Sequence, residues 1–416
     1  MNFWFVSQTA EPLPGIDKGQ RIMRLGLLGQ QLINLGHQVT WWTSEFKHST
    51  KTHRYGAHKS VDTSSGWQFE LIKGLGYRNN FSYRRVQHNR DLAKKFARFA
   101  RDKPSPDLIL APLPAPEVTA AASHFGVENR IPVVVDIRDL WPQAIIELFP
   151  KILQPVGRML LSGMEKQVRY SCRKASSIIA MSSEFVEWGA MKAARNRRDT
   201  DRVFRHAYTS TENTTQIKSK YLSEVQKKIC GHFVIVFIGT HGASVDADPV
   251  IDCARRFELN QSPIAWIMVG DGPSHHQWRE KAKDIKSMYW TGRVGKQGIQ
   301  EALSMADVGL VPYKTTENLR LGVPNKIGEY LSAGLPLLNG LAGSVANLVE
   351  QHKVGVNYHH SSVENLEQAI YELKQNPIRK KSMQVSAERL FYEQFEAGRV
   401  YKEFAHHLEK MARCGA

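Results

Sequence analysis

No apolar run in this sequence approaches the length of a bilayer span; stretches such as 233–238 and 133–135 are strand-sized. Cysteine is scarce. Cys172, Cys230, Cys253 and Cys414 are scattered without metal-ligand spacing, which argues against a cysteine-built metal centre and for reduced structural thiols in a cytosol. Short-period repeats and low-complexity tracts are missing too, so solenoid and linker-like classes fall away. The opening Met-Asn-Phe-Trp-Phe-Val lacks the basic start and long apolar stretch of a secretory signal and reads as a first strand. Acidic residues are in deficit, 40 against 56 Lys and Arg, a formal net charge of +16. That excess draws the chain toward anionic partners: nucleic acid, lipid headgroups or phosphorylated small molecules.

What is present is the balance of a globular protein, 42% hydrophobic and 23% charged. At 416 residues the chain exceeds what one core usually serves, so two domains are expected. Near-continuous apolar runs at 3–6, 39–43, 69–72, 108–111, 133–137 and 177–180 predict strands in the first half. Those at 233–238, 265–269, 288–291, 308–311 and 336–338 predict strands in the second. Runs without alternation suit parallel strands buried on both faces, and the helical segments between them predict doubly wound α/β sheets. Residues 20–35 place Ile22, Leu25, Leu28, Leu32 and Leu35 at helical spacing before Gly36. A polar stretch at 192–216 interrupts the alternation. The domains are therefore expected at 1–210 and 211–389, with a last helix near 387–413 carrying Leu390, Phe391, Phe395, Tyr401, Phe404 and Leu408.

The richest segment runs from Pro312 to Pro336. Pro324 suits a first helical turn and Gly334 a stop. At 100° per residue, Asn325, Lys326, Glu329, Ser332 and Ala333 share one face, and Ile327, Tyr330 and Leu331 the other. An ammonium and a carboxylate one turn apart fit a nucleotide sugar: Lys326 and the helix start neutralise a diphosphate, and Glu329 accepts from vicinal ribose hydroxyls. The bland alternative is an amphipathic helix with a solvated face. Two small-residue loops after buried strands, Gly239-Thr240-His-Gly-Ala-Ser and Gly340-Leu-Ala-Gly343-Ser344, would bring backbone amides close to a phosphate.

Gly292-Arg293-Val294, Ala306-Asp-Val-Gly-Leu-Val-Pro, Val269-Gly-Asp-Gly-Pro and Pro324-Asn-Lys-Ile-Gly-Glu-Tyr-Leu-Ser-Ala-Gly-Leu-Pro together resemble the donor half of glycosyltransferase family 4. Gly19-Gln-Arg-Ile-Met-Arg-Leu, Asn34-Leu-Gly-His-Gln-Val-Thr and Val135-Asp136-Ile-Arg138-Asp139-Leu-Trp-Pro are similar to its first half, the last among members building surface polysaccharides and lipid-linked oligosaccharides. The resemblance implies the GT-B fold, with two Rossmann-like domains facing across a cleft. It implies transfer with retention from a UDP- or GDP-type sugar, with no metal and no cofactor. It also implies a C-terminal helix, about 390–416, packing back on the first domain. By this analogy Glu329 is the second of two glutamates with seven residues between them, and the first falls at Leu321, with Glu317 nearby but out of step. An Arg and a Lys usual after the first strand of the second domain are missing, so diphosphate neutralisation passes to Lys326 with Arg320 or Arg293 as helpers.

On the acceptor side, Asp139, Asp136 and Arg138 end a strand, and Asp139 is the expected residue to orient the acceptor hydroxyl. A structural ion pair of Arg138 with an aspartate is the alternative. Glu11, with Gly15 and Gly19, forms the loop after the first strand. Basic clusters at 78–103 (interleaved with Phe81, Tyr83, Phe96 and Phe99) and 192–205 suggest docking on anionic lipid and a glycan or lipid-linked acceptor on the inner face of a plasma membrane, the bland alternative being a solvated helix face. The rivals are a nucleotide-sugar 2-epimerase, an idle scaffold, and nucleic-acid binding, for which no known module is present.

Overall fold

The computed structural model describes residues 1–8, 11–80, 82–209 and 219–414. Phe81 of the first basic segment and the end of the expected interdomain stretch lie outside them. The chain divides into two compact units, Met1–Arg205 with Val400–Ala416, and His206–Arg399.

The first unit contains β1 (Asn2–Val6), β2 (Gln38–Ser44), β3 (Phe46–Lys47), β4 (Thr52–His53), β5 (Lys59–Asp62), β6 (Trp67–Ile72), β7 (Leu108–Leu113), β8 (Val133–Ile137), β9 (Ser177–Ala180) and β10 (Arg202–Val203). Eight form one sheet in the order β10-β9-β8-β7-β1-β2-β6-β5, parallel except where β5 meets β6. The second unit contains β11 (Phe233–Ile238), β12 (Ile264–Val269), β13 (Met288–Gly292), β14 (Val308–Val311), β15 (Leu337–Asn339) and β16 (Gly355–Asn357). They form a wholly parallel sheet in the order β13-β12-β11-β14-β15-β16. Both units are doubly wound, with helices joining most successive parallel strands, although β2 and β6 are linked through β3, β4 and β5.

All the strands expected from apolar runs form. Those not anticipated lack such a run: β3, β4 and β10 have two residues each, β5 is mostly exposed, and β16 is a three-residue strand of half-buried residues. The first helix is shorter than its apolar spacing suggests, Arg24–Asn34, and Ile22 and Leu35 lie outside it, exposed. Its start is fixed by a tertiary contact: the Leu25 N–H donates to the Glu11 carboxylate at 2.9 Å, satisfying a first-turn donor.

The single helix expected near 387–413 is two, Pro377–Gln394 and Ala397–Cys414. The break needs neither Gly nor Pro at its centre. The Phe395 carbonyl accepts from Tyr208 N–H, and the Glu396 carboxylate accepts from Gly398 and Arg399 N–H, opening a fresh helix. The chain re-enters the first unit at Val400, ten residues beyond the expected 390, and leaves it after Arg205 rather than 210. Within that unit Phe404 stacks on Phe204 at 4.4 Å and Arg24 lies 5.1 Å over the Phe404 ring.

Candidate functional site

In the second sheet the winding reverses between β11 and β14, and open α/β sheets bind ligands beyond the carboxyl ends of their strands at such a point. Lys326 reaches this place. Its Nζ lies so close over Gly239 that a Cβ there would stand 2.5 Å away. Nζ donates to the hydroxyl of Tyr313, just past β14, and stands 4.6 Å from the Tyr313 ring centre and 5.2 Å from that of Phe237. Burial among these rings pulls its pKa down to about 8, against the opposing pull of Glu329. Among the described residues no carboxylate forms an ion pair with it.

The supporting helix is Lys326–Ser332, opening two residues after Pro324. Ile327, Tyr330 and Leu331 are fully buried, as the helical spacing predicts, and the Tyr330 hydroxyl bonds to Leu310 and Ile238 of the sheet. Asn325 and Ala333 are exposed, Lys326 and Ser332 half-buried, and Glu329 is buried one turn after Lys326. With seven residues the helix has a small dipole, so the positive charge here is chiefly that of Lys326.

The loop after β11 is locked to the next one: Gly239 N–H donates to Val269, His241 N–H to Asp271, and Ser274 N–H to His241. Thr240 is exposed on it. The loop after β15, expected to bring backbone amides close to a phosphate, also packs on a neighbouring helix. A Cβ on Gly343 would stand 2.1 Å from the Arg320 carbonyl, and Ser344 Oγ donates to Leu321 O at 2.9 Å. Both residues are committed to the helix Glu317–Leu321. On that helix Arg320 forks onto Glu317 at 2.9 and 3.0 Å. Arg320, a candidate helper, thus pairs with the out-of-step Glu317. Arg293 is exposed and Val294 half-buried beyond β13, an edge strand two places from β11, roughly 10 Å by sheet spacing.

In the first unit the winding reverses between β1 and β7. Asp136, fully buried on β8, accepts from Arg24 at 2.9 and 3.0 Å and from Arg138 at 2.8 Å. Arg138 also pairs with Glu11. Burial alone would raise the Asp136 carboxyl; Arg24 and Arg138 overcome it and hold the pKa at about 2. Burial likewise opposes the charge on Arg138, and Asp136 and Glu11 raise its pKa. Structural pairing, the alternative weighed from sequence, accounts for both oxygens of Asp136. Its geometry positions Arg138, whose Nη2 is buried without a partner. Asp139 is half-buried and in electrostatic range of Arg85. Gly15 and Gly19 sit on the exposed turn before the first helix. In the second basic cluster Lys192 pairs with Glu165 at 2.8 Å and Arg195 with Asp201 at 2.9 Å, so part of that charge is spent internally.

Four residues escape a reading of the sequence. Arg24 finds Asp136 only in three dimensions. Tyr313 was legible only as a neighbour of the motif. Glu117 is buried in the first turn after β7, its carboxyl pKa raised by burial, and its one signal is a Pro-Glu helix start after a strand. His241 is fully buried, stacked on His275 at 2.8 Å between ring nitrogens, tilted against Trp278 and edge-on to Trp290. Among the described residues no group of three or more His, Cys, Asp or Glu could hold a metal ion.

The family model described as Glycosyltransferase Family 4 matches residues 24–190, and that described as Glycosyl transferases group 1 matches residues 232–376, one in each unit. The chain is a family 4 glycosyltransferase. No curated protein sequence matches it. Among solved structures it is similar to Anabaena HepE in complex with UDP-glucose (TM-score 0.63, 15% identity, 99% of this chain and 100% of that one). It is also similar to sucrose-phosphate synthase from Thermosynechococcus elongatus (0.69, 12%, 99% of each). A third is WaaG, a glycosyltransferase involved in lipopolysaccharide biosynthesis (0.63, 12%, 98% of this chain and 99% of that one). At such identities the likeness is one of fold. This glycosyltransferase has the GT-B architecture of two Rossmann-like halves.

Proposed function

We propose that this glycosyltransferase moves a sugar, with retention and without a metal or other cofactor, from a UDP- or GDP-type nucleotide sugar to a glycan or lipid-linked acceptor in bacterial-type surface polysaccharide synthesis. The observation that carries the donor half is Lys326: a cation at the winding reversal of the second sheet, desolvated and without a paired carboxylate. Departure of a nucleoside diphosphate builds negative charge on its phosphate oxygens, and a preset cation in a poorly hydrated place opposes that charge strongly. Glu329, one turn on, is assigned the ribose hydroxyls, and Asn325 and Thr240 the exposed rim. HepE, the fold relative crystallised with UDP-glucose, favours a uridine nucleotide.

On the acceptor side, Arg138 is the group offered to ligand, held by Asp136 and Glu11, and Asp139 is assigned the acceptor hydroxyl. Retention suits a site with electrostatics and positioning but no nucleophile activated by a base. No helix among the described residues is long and apolar enough to cross a membrane, and we assign the protein to the cytoplasm, peripheral on the inner face of the plasma membrane.

The test is a thermal-shift screen of nucleoside diphosphates and nucleotide sugars, with and without EDTA. One base series should stabilise the protein, unchanged by EDTA, and the shift should vanish in Lys326→Ala. If no nucleotide binds, the donor assignment is wrong. The anomeric configuration of the product, read by proton NMR, decides retention.

A further inference from the structure

The first unit holds an apolar cavity that donor chemistry leaves unused. It measures about 550 Å³, within the range of small-molecule sites, and lies between the start of the helix Tyr83–Phe99 and the segment 141–164. Val86, Trp141, Ile145, Phe149, Leu161 and Met164 line it. Leu148 and Leu160 at its rim, and Ile152, Leu153, Val156 and Met159 beside it, are all exposed, Ile152 by 86%. On the helix Gln154–Leu160 and the turn before it, Ile152, Val156 and Met159 recur at helical spacing, as do Leu153, Val156 and Leu160. Here an apolar stripe faces outward. Apolar surface exposed at that density marks a place of interaction, and it adjoins Lys151, Arg158 and Lys166, also exposed.

The cavity has one charged wall. Arg85 lies half-buried between the rings of Trp141, 4.9 Å away, and Tyr77, 5.6 Å away. Its Nη1 donates to Asn80 O at 2.9 Å, and its Nε is buried without a partner. Among the described residues no carboxylate forms an ion pair with it; Asp139 and Glu117 act only at longer range. Arg90, exposed, lines the same cavity. A guanidinium partly removed from water without a counter-ion is costly, and an anion brought to it gains charge-assisted hydrogen bonds.

We infer that this cavity takes the first segment of a single-chain lipid phosphate of the polyisoprenyl kind, its phosphate on Arg85 and the remaining chain crossing the exposed apolar stripe toward a bilayer. The inference rests on the reading of the acceptor as lipid-linked, and names the part of the acceptor that is recognised. One cavity suits one chain, whereas a two-chain phospholipid would leave its second chain outside. Trp141 follows Arg138 by three residues, so the phosphate end is tied by the chain itself to the carboxyl edge of β8, where the acceptor sugar is wanted.

The test uses the full-length protein and farnesyl diphosphate below its micellar concentration, followed by tryptophan fluorescence, Trp141 being in the wall. Farnesyl diphosphate should bind at least tenfold more tightly than farnesol or inorganic pyrophosphate. Arg85→Gln should remove that advantage and leave farnesol binding unchanged. Leu160→Glu, at an exposed position the fold tolerates, should weaken both prenyl ligands at least tenfold. Nucleoside diphosphate binding should be unaltered in both variants. Equal binding of farnesyl diphosphate and pyrophosphate, indifference to Leu160→Glu, or equal competition by two-chain phosphatidylglycerol vesicles would overturn the inference. In the unaltered protein, absence of prenyl binding with nucleotide binding present sinks the cavity alone; the reverse pattern sinks the donor assignment and spares the cavity.

Discussion

At the end of β8, two carboxylates and two guanidinium groups (Glu11, Asp136, Arg24 and Arg138) neutralise one another in a chain of ion pairs. At the end of β11 one ammonium, Lys326, stands among aromatic rings with a carboxylate only a turn away. The first arrangement balances its charges without a ligand and holds Arg138 in place, with Nη2 of Arg138 left to offer. The second is unbalanced, because a desolvated cation without an ion pair raises the free energy of the empty protein and is relieved by an anion. A charge-balanced network fixes the position of the group it offers, and an unbalanced one adds a driving force for binding.

The largest effect should come from breaking the charge-balanced network. Asp136→Ala leaves Arg24 and Arg138 buried without their shared partner and should cost about 3–5 kcal/mol in urea unfolding of the whole chain. Lys326→Met, by contrast, should leave stability unchanged or raise it, since it removes a desolvated charge and keeps the volume. If Asp136→Ala unfolds no more easily than Lys326→Met, the contrast between the two sites is false.

Next in size is the loss of binding. Lys326→Ala removes a charge-assisted contact of about 1.5–3 kcal/mol, so nucleoside diphosphate affinity by calorimetry should drop roughly 10- to 100-fold. The acceptor-side Asp139→Ala should leave that affinity alone.

The pH dependence sharpens the same point. With its pKa pulled down to about 8, Lys326 loses its proton as pH rises through 8, so nucleotide affinity should fall above pH 8 by up to about tenfold per unit. Lys326→Arg should flatten that fall. Stability moves the opposite way. An unfolded lysine keeps its proton to about 10.4 while the folded one gives it up near 8, so between those values the unfolded state binds more protons and stability rises with pH.

How much of this was legible follows from the range of the contacts. Parallel strands such as 233–238 announce themselves because every residue is apolar, and β5 and β16 do not because theirs are not. The helix after Pro324 was legible because its spacing alone separates Ile327, Tyr330 and Leu331 from Lys326 and Glu329. Arg24 was not, because Asp136 lies 112 positions away. Small residues after a strand serve both a ligand and a neighbouring helix, and at Gly343 the Arg320 carbonyl shows that the helix too requires the glycine. The outward-facing apolar stripe at 152–160 was not legible, since spacing tells which residues share a face but not what covers it.

The smallest effect tests what the rings contribute. Tyr313→Phe keeps the ring beside Lys326 and removes only the hydroxyl that accepts from Nζ. In the empty protein that hydroxyl helps satisfy the ammonium, so its loss should lower the lysine pKa further and move the midpoint of the pH fall below 8. With a diphosphate bound, the phosphate oxygens replace the hydroxyl as acceptors, so affinity at pH 7 should change less than about threefold. An affinity loss as large as that of Lys326→Ala would mean that Tyr313 itself holds the ligand and that the lysine is the supporting group.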